Sequence, residues 1–219
     1  MAHPSTIASL RSLIRRVDNY YWEKLEGSES SPEEIDHQAR SVQAGDLLLE
    51  SATLLYQAGR AATVTDANVL RGQANGAIAY VSEGIWSIAR GLARYPGQYR
   101  ARMEGPEHDW CEWFIGIAEG EMAYMRDMLD RDGVRQRMEK LVTALGLPEE
   151  TTLALHHLYL AGPVTRDEFR LLAGLGKQGG NSLHARLLKF GLVTSLSEAA
   201  LIQIAFPSGA LGYLYPSLI

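Results

Sequence analysis

Apolar residues recur at steps of three and four along the first two thirds of this 219-residue chain. Near its start, Leu10, Leu13 and Val17 follow this spacing, which places their side chains on one face of a helix. No alternating strand pattern appears before residue 146. The chain is therefore predicted to be mainly α and to begin with an antiparallel bundle of four or five helices over residues 1–146.

Capping and breaking residues divide this bundle into individual helices. Ser31 and Pro32 are typical of a helix start, and Asp66 is predicted to cap the next helix. That helix is predicted to run unbroken to a stop at residues 95–97, where the sequence reads YPG. The bundle helices are predicted over residues 5–25, 32–60, 66–95, 106–130 and 134–145.

Glycine pairs lie four residues apart within two predicted helices, Gly72 with Gly76 and Gly116 with Gly120. Each glycine costs about 1 kcal/mol of helix propensity relative to alanine, so a compensating contact is expected. Close helix packing, within the bundle or across a dimer, is the preferred interpretation, and a ligand groove is the alternative. A cluster of aromatic residues is likewise predicted to form a core or dimer interface, with an effector pocket as the alternative: Tyr20, Tyr21, Trp22, Trp86, Trp110, Trp113 and Phe114.

Acidic residues outnumber basic ones, with 26 Asp and Glu against 21 Lys and Arg and a formal charge of -5. This balance excludes a protein that coats a polyanion with its whole surface. The charge is unevenly divided: residues 1–130 contain 12 basic and 19 acidic side chains, and residues 131–219 contain nine basic and seven acidic ones. Only the second part, with a net charge of +2, is suited to approach phosphates.

The single cysteine, Cys111, excludes an internal disulfide framework and a zinc site built from clustered cysteines. The first residues lack a signal-peptide pattern, so a cytoplasmic protein is expected. Residues 199–219 are uncharged and long enough to span a membrane, but Gln203, Pro207 and Pro216 interrupt them. We expect buried β structure there and no membrane partner.

Candidate catalytic and metal-binding groups are few. Glu34 and His37 have the Glu-x-x-His spacing of di-iron helix bundles, but no second copy exists. Cys111 follows His108 by one helical turn, yet no third residue that would orient such a pair can be named, so a buried cysteine is expected. We therefore predict a protein that is not an enzyme and that uses no cofactor and no metal.

The last third of the chain changes character. A helix is predicted to begin at Pro148 and to stop before Gly162. Thr165 and Glu168 then have the spacing of a capping box, which predicts the start of a short helix that ends at residues 174–176.

A third helix and several strands complete this part. The KQGG segment, residues 177–180, is predicted as a turn, and Asn181 or Ser182 is predicted to cap a helix that ends at Phe190. The segments LVTS, ALIQIAF and ALGYLY are predicted as strands, with a turn at residues 207–209 between the last two.

Helix, helix, turn, helix and hairpin, in this order, resemble the winged helix-turn-helix domain. The resemblance is carried by TRDEFRLLAGLGKQGGNSLHARLLKFGLV and the hairpin after it, and it covers residues 147–219, about one third of the chain. It implies that the helix over residues 181–190 is a recognition helix, which enters the major groove in DNA-binding members. It also implies that residues 199–215 form the wing.

Basic and polar side chains of this domain are predicted to contact DNA. Arg166, Arg170 and Lys177 are expected near phosphates, and residues of the third helix near base edges. The candidate DNA-binding residues are Arg166, Arg170, Lys177, Gln178, Asn181, Ser182, Arg186 and Lys189. For Arg186 and Lys189 taken alone, a solvated helix face is the simpler interpretation.

The predicted function is therefore binding of duplex DNA by residues 147–219, as a regulator or accessory factor. The bundle over residues 1–146 is predicted to serve self-association, as a homodimer, or docking within a larger protein complex. The hairpin favours an alternative, because wings that contact DNA usually present Lys or Arg and this one is uncharged. In the alternative, the chain is an adaptor subunit of a nucleic-acid machine, such as a defence, transfer or partition complex, and its winged helix contacts protein.

Overall fold

The computed structural model describes residues 2–26, 44–195 and 200–218. These residues are mainly helical and include one small two-stranded antiparallel sheet, so the mainly α prediction is confirmed. The elements are α1 (Pro4–Glu26), α2 (Ala44–Ala58), α3 (Val64–Ser82), α4 (Ile88–Ala93), α5 (Pro96–Glu104), α6 (Glu107–Met128), α7 (Arg131–Ala144), α8 (Thr151–Ala161), α9 (Arg166–Leu172), α10 (Lys177–Phe190), β1 (Val193–Thr194), β2 (Gln203–Ile204) and α11 (Ser208–Leu214).

Some sequence predictions fall outside this part of the chain. The predicted helix start at Ser31 and Pro32 lies there, as does the pair Glu34 and His37. Ala199, the first residue of the predicted wing, is also outside the described residues.

The chain divides into two compact units. The helical unit comprises Ile14–Met125, and the sheet unit comprises Met1–Leu13 together with Arg126–Ile219. The predicted boundary after residue 146 falls inside the sheet unit, because α7 packs against both α8 and α11. As a division into separately folding domains, residues 1–146 and 147–219 remain a prediction.

Aromatic side chains form much of the core of the helical unit. Trp110 is fully buried on α6, and its indole N–H donates a 2.7 Å hydrogen bond to the Ala52 carbonyl on α2. Phe114 lies one turn further along α6, with its ring centroid 5.8 Å from that of Trp110. Trp86 is buried as well. The interpretation of these three aromatic residues as core is confirmed, and burial of such large rings is a major source of stability.

The predicted helix over residues 66–95 is broken in the structure. α3 ends at Ser82, and the next two residues, Glu83 and Gly84, have φ values of 47° and 66°. α4 restarts after Ser87, whose side chain accepts the Arg90 N–H. The prediction of a continuous helix was therefore wrong. Gly84 tolerates the left-handed backbone at the end of α3, and Ser87 caps the start of α4.

The N-cap of α3 is also different from the predicted one. Thr63, and not Asp66, caps this helix, since the Thr63 hydroxyl accepts the Asp66 N–H at 3.1 Å. Asp66 lies in the first turn, where a carboxylate interacts favourably with the helix dipole.

Close packing within the bundle is not found at three of the four glycines for which it was predicted, and packing across a dimer stays a prediction. A Cβ atom on Gly72, Gly116 or Gly120 would have no described atom within 4 Å. The close approach occurs instead at Gly91 on α4, where a Cβ would lie 2.5 Å from Ile117 Cγ2 on α6. The absent side chain of Gly91 therefore allows α4 and α6 to pack closely.

The sheet unit is built around α8 and the small sheet. Val193 pairs with Ile204 and Thr194 with Gln203, while the isolated residue Val164 bridges Ile202 on the other side of the second strand. Three extended segments thus lie side by side, with α10 in contact with β1 and α8 in contact with β2.

The final segment contradicts the sequence prediction. Residues 207–209 were expected to form a turn and residues 210–215 a strand, but Ser208–Leu214 form α11, which buries Ala210, Leu211 and Leu214. Apolar residues at these positions also fit one face of a helix, and α11 uses that face to pack on α7. The Leu214 carbonyl accepts a 2.7 Å hydrogen bond from Arg137 Nε of α7. The predicted wing over residues 199–215 is therefore wrong, and the hairpin is the one formed by β1 and β2.

α10 begins earlier than predicted. The KQGG segment is not a turn but the first turn of the helix, with Gly176 as the N-cap and a 2.8 Å bond from the Gly180 N–H to the Gly176 carbonyl. Asn181 and Ser182 consequently lie inside the helix and do not cap it. The turn that separates α9 from α10 is shorter and contains Gly174, which has a φ of 62°.

α9 and α10 approach each other closely at Gly180. A Cβ at this position would lie 2.7 Å from Arg170 Cγ and 3.1 Å from Arg170 Cβ. Both atoms are near the backbone of α9, so they have little freedom to move away. The glycine therefore fixes both the helix crossing and the course of the Arg170 side chain.

We expect Gly180→Ala to lower the free energy of unfolding by up to about 2 kcal/mol, because overpacking costs about 1–3 kcal/mol and the higher helix propensity of alanine offsets about 1 kcal/mol of this cost. Gly179→Ala is the matched control, because its Cβ would meet only Leu175 at an ordinary 3.6 Å. This control should be stabilised by up to about 1 kcal/mol. Urea denaturation measures both, and equal shifts of the two variants would contradict the close contact.

Candidate nucleic-acid interface

A cleft in the sheet unit brings together four of the eight candidate DNA-binding residues. We call it the cationic cleft; its volume is about 290 Å³. Its lining residues are Thr165, Arg166, Asp167, Arg170, Lys177, Asn181 and Ala200. Three cations thus share one concave surface with a single carboxylate.

The start of α9 is fixed by the predicted capping box, which the structure confirms. The Thr165 hydroxyl accepts the Glu168 N–H at 3.2 Å, and the Glu168 carboxylate accepts the Thr165 N–H at 2.8 Å. The Thr165 hydroxyl also donates a 2.8 Å hydrogen bond to this carboxylate. The bond from the Thr165 N–H, and after it the bond from the hydroxyl, hold the pKa of Glu168 below its ordinary value. The box orients the first turns of α9, so that Arg166 and Arg170, four residues apart, lie on the same face.

The two arginines of the cleft are held in different ways. The stem of Arg170 packs against Gly180, and its guanidinium Nη2 lies 3.4 Å from Asp167 Oδ1. Arg166 has a buried Nε that finds no hydrogen-bond partner among the residues that the structure describes. The packing of the Arg170 stem and the burial of Arg166 Nε restrict both side chains before any ligand arrives, which lowers the entropy lost on binding.

α10 supplies the second wall of the cleft and an exposed polar face. Its buried side is formed by Gly180, Leu183, His184 and Leu187. All the candidate residues of this helix lie on the exposed side: Lys177, Gln178, Asn181, Ser182, Arg186 and Lys189. The helix contains no acidic residue, and its N-cap Gly176 provides no side-chain acceptor for the first N–H groups. This end of α10 is therefore favourable for an anion.

Arg186 has an intramolecular role that the sequence did not reveal. Its guanidinium donates a hydrogen bond of 2.9 Å to the Gly146 carbonyl and one of 3.4 Å to the Leu145 carbonyl. These carbonyls follow the last turn of α7, where acceptors are left without helical partners. Arg186 thus joins the end of α7 to α10.

His184 is a buried residue of this region that sequence reasoning missed. It is 6% exposed, and its ring contacts that of Phe169 edge-on with centroids 6.4 Å apart. Burial, and then the charge of Arg166, lower the pKa of His184 below its ordinary value. The only signal in the sequence was its position next to Leu183 on the apolar side of the helix.

A buried charged cluster in the helical unit was also missed. Arg90 on α4 is 1% exposed, and its Nε and Nη2 lie 2.8 and 2.6 Å from Glu121 Oε2 on α6. Its guanidinium carbon lies 3.8 Å from the ring centre of Tyr124. Burial raises the pKa of Glu121, and the charge of Arg90 opposes this. Nothing local in the sequence links residues 90 and 121.

Asp18 on α1 belongs to the same region of the helical unit. Its carboxylate accepts a 2.6 Å hydrogen bond from the Ser87 hydroxyl and a further one from the Ala89 N–H. Despite these donors, burial raises the pKa of Asp18 from 3.8 to about 6. The Asp18 residue is half-buried, and loss of hydration at its carboxylate disfavours the charged form more than the two hydrogen bonds favour it.

The other groups considered in the sequence do not form a site in the described ranges. Cys111 is buried 3.8 Å from the Thr53 hydroxyl, and burial raises its thiol pKa. No cluster of three His, Cys, Asp or Glu residues suited to a metal ion occurs in residues 2–26, 44–195 and 200–218. Over the same ranges, no helix has the length and apolar character needed to cross a membrane.

Comparisons of the sequence with protein-family models and with curated proteins found no match. Function must therefore be inferred from the residues and their geometry.

Proposed function

We propose that the chain is a non-enzymatic DNA-binding protein that acts in the cytoplasm and binds duplex DNA through α10 and the cationic cleft. In this proposal the sheet unit contains a winged helix-turn-helix. The preceding helices form an antiparallel bundle that serves a homodimer or a larger complex.

The order of elements supports the winged-helix part of this proposal. α8, the short helix α9, the longer helix α10 and a β-hairpin follow one another in the order of a winged helix-turn-helix, although the hairpin is β1–β2 and not the wing drawn from the sequence. α10 takes the place of the recognition helix. It is amphipathic, since the side that faces the unit is apolar and the opposite side carries amide, hydroxyl and basic groups.

The cationic cleft is the observation that carries the DNA-binding proposal. Its two walls come from α9 and from the first turns of α10, so Arg166, Arg170 and Lys177 surround the N-terminal end of the proposed recognition helix. In this position they are suited to hold backbone phosphates and thereby to orient α10. Gln178, Asn181 and Ser182 lie at the same end of the exposed face, where their side chains are suited to base edges.

Removal of two cleft charges tests this directly. We expect the double variant Arg170→Met and Lys177→Met to bind a fluorescently labelled random duplex roughly ten- to a hundredfold more weakly, because each substitution removes a charge-assisted hydrogen bond to phosphate. The logarithmic salt dependence should also become shallower by about two, one unit for each phosphate that is no longer neutralised. Methionine keeps the aliphatic stem that packs at Gly180, so folding should be preserved.

The matched control removes two exposed cations of α7, Arg135 and Lys140, in the same way. It changes the net charge equally but leaves the cleft intact. Fluorescence anisotropy measures the affinity, and circular dichroism checks the fold. If the affinity of both double variants falls by the same factor, the binding depends on net charge and the assignment to the cleft is wrong. Arg186 is left unchanged because its hydrogen bond to Gly146 would mix a stability effect with a binding effect.

A second candidate function is supported by residues 199–219, which include β2 and α11. They contain no charged side chain, and Leu201, beside the cleft residue Ala200, is half-exposed. Such an uncharged segment is suited to contact protein, as expected of an adaptor subunit in a nucleic-acid machine. A folded chain that fails to bind any duplex at low salt would favour the adaptor.

A further inference from the structure

The cationic cleft has a charge that suits a particular class of ligand. Arg166, Arg170 and Lys177 contribute three positive charges and Asp167 one negative charge, which leaves a formal charge of +2. Glu168 is close by in sequence but does not line the cleft, and its carboxylate accepts the hydrogen bonds of the capping box. The N-terminus of α10 adds a partial positive charge of about half a unit.

We propose that the cleft binds a phosphomonoester group in its dianionic form. A phosphodiester in a DNA backbone carries one negative charge, whereas a monoester carries about −1.5 to −2 at neutral pH. The monoester therefore matches the charge of the cleft more closely. This inference rests on the proposed function only in sharing its site, since a monoester does not require a duplex.

The shape and chemistry of the cleft are consistent with such a ligand. At about 290 Å³ it has room for a phosphate and part of the group attached to it. Of its lining residues, Ala200 is the only one without a polar side chain. Arg170 is about three-quarters buried and is held by Gly180 and Asp167, so its guanidinium is positioned before the ligand binds.

Two kinds of ligand present a phosphomonoester group: a free phosphorylated small molecule and the 5′-phosphate at a DNA end. Both present a terminal phosphate with three oxygens, which the forked guanidinium of an arginine binds well. A free ligand would compete with DNA and so regulate its binding. A 5′-phosphate would direct the chain to DNA ends.

Methyl phosphate and dimethyl phosphate provide the first test, on the full chain without DNA. We expect saturable binding of methyl phosphate in the millimolar range or tighter, measured by calorimetry, and binding of dimethyl phosphate that is roughly tenfold weaker or more. Lys177→Met should weaken methyl phosphate binding, and Lys140→Met should not. Absence of saturable binding, or equal affinity for the two compounds, would overturn the inference.

The pH dependence separates the dianion from other anions. Affinity for methyl phosphate should rise from about pH 5 to about pH 7.5 as its second proton, with a pKa of about 6, is lost. Sulfate remains a dianion over this range and controls for changes in the charge of the protein around the cleft, where Asp167, Glu168 and His184 lie. Equal pH profiles for sulfate and methyl phosphate would contradict a preference for the phosphate dianion.

A pair of duplexes with 5′-phosphate or 5′-hydroxyl ends then identifies the source. Tighter binding of the phosphorylated duplex, abolished in Lys177→Met, assigns the cleft to DNA ends. Equal binding of both duplexes, with displacement by methyl phosphate, assigns it to a free ligand. A chain that binds methyl phosphate but no duplex keeps the cleft inference and overturns the proposed function, so the two failures are distinguishable.

Discussion

Glu121→Ala should be the most destabilising single substitution among the charged residues of the described ranges, lowering the free energy of unfolding by about 3–5 kcal/mol. The substitution removes the carboxylate that contacts Arg90 and leaves a guanidinium that is 1% exposed without that partner. Solvating this charge would require the helices around it to separate. The packing at Gly91, where a Cβ would also lie 2.9 Å from Glu121 Cγ, leaves little room for water to enter.

Guanidinium chloride denaturation measures this destabilisation, and two variants control it. Glu119→Ala removes an exposed carboxylate from the same helix and should change stability by no more than about 0.5 kcal/mol. The double variant Arg90→Met and Glu121→Leu removes both charges together and should be clearly more stable than Glu121→Ala. If Glu121→Ala and Glu119→Ala are equally stable, the ion pair does not contribute as the structure indicates.

Asp18→Asn should have the opposite effect and stabilise the protein at neutral pH by about 2–3 kcal/mol, since each unit of pKa shift corresponds to about 1.4 kcal/mol. Asparagine keeps an oxygen that accepts the hydrogen bond from Ser87 but carries no charge that burial penalises. It also removes a negative charge that raises the pKa of Glu121.

The pH dependence of this stabilisation has a definite sign. The pKa of Asp18 is about 6 in the folded chain and 3.8 as its ordinary value, so the folded state takes up the proton more readily. The contribution of this carboxyl to stability is therefore fully present below the ordinary value and is lost as the pH rises through about 6. Thermal unfolding should show the largest difference between Asp18→Asn and wild type near pH 7, and almost none near pH 4.

Glu23→Gln, an exposed position on the same helix, is the control for general charge effects. Its stability relative to wild type should hardly vary between these pH values. An Asp18→Asn difference that stays constant with pH, or that grows on acidification, would show that Asp18 is an ordinary solvated carboxylate.

Local signals account for the parts of the fold that could be predicted. The long helices α1, α6 and α7 follow from apolar residues at three- and four-residue steps. The capping box of α9 was correctly predicted because Thr165 and Glu168 are three residues apart, so sequence spacing alone fixes their geometry.

Errors arose where one pattern suits two structures. The segment ALGYLY alternates as a strand does, yet its apolar residues also form a helical face, and packing against α7 selects the helix. The KQGG segment was predicted as a turn because of its glycines. Gly180 is needed instead inside α10, where Arg170 approaches from α9. Only tertiary contacts distinguish these possibilities.

In the candidate site, too, some features could be predicted from the sequence and others depend on tertiary contacts. Arg166, Arg170, Lys177 and Asn181 were predicted from residue type and from the resemblance, and the structure adds that they line one cleft. The bond from Arg186 to Gly146 spans 40 residues, and the pair of Arg90 with Glu121 spans 31. Rules based on the spacing of residues within one helix or turn do not apply over such separations, so these contacts could not be predicted from the sequence.

The measurement that decides most about function is fluorescence anisotropy of the full wild-type chain with a labelled random duplex at low and at physiological salt. If the cationic cleft holds backbone phosphates, binding should be in the micromolar range and should weaken steeply with salt, with a logarithmic slope of about −3 for three phosphate contacts. No binding at low salt by a chain that is folded by circular dichroism would contradict DNA binding.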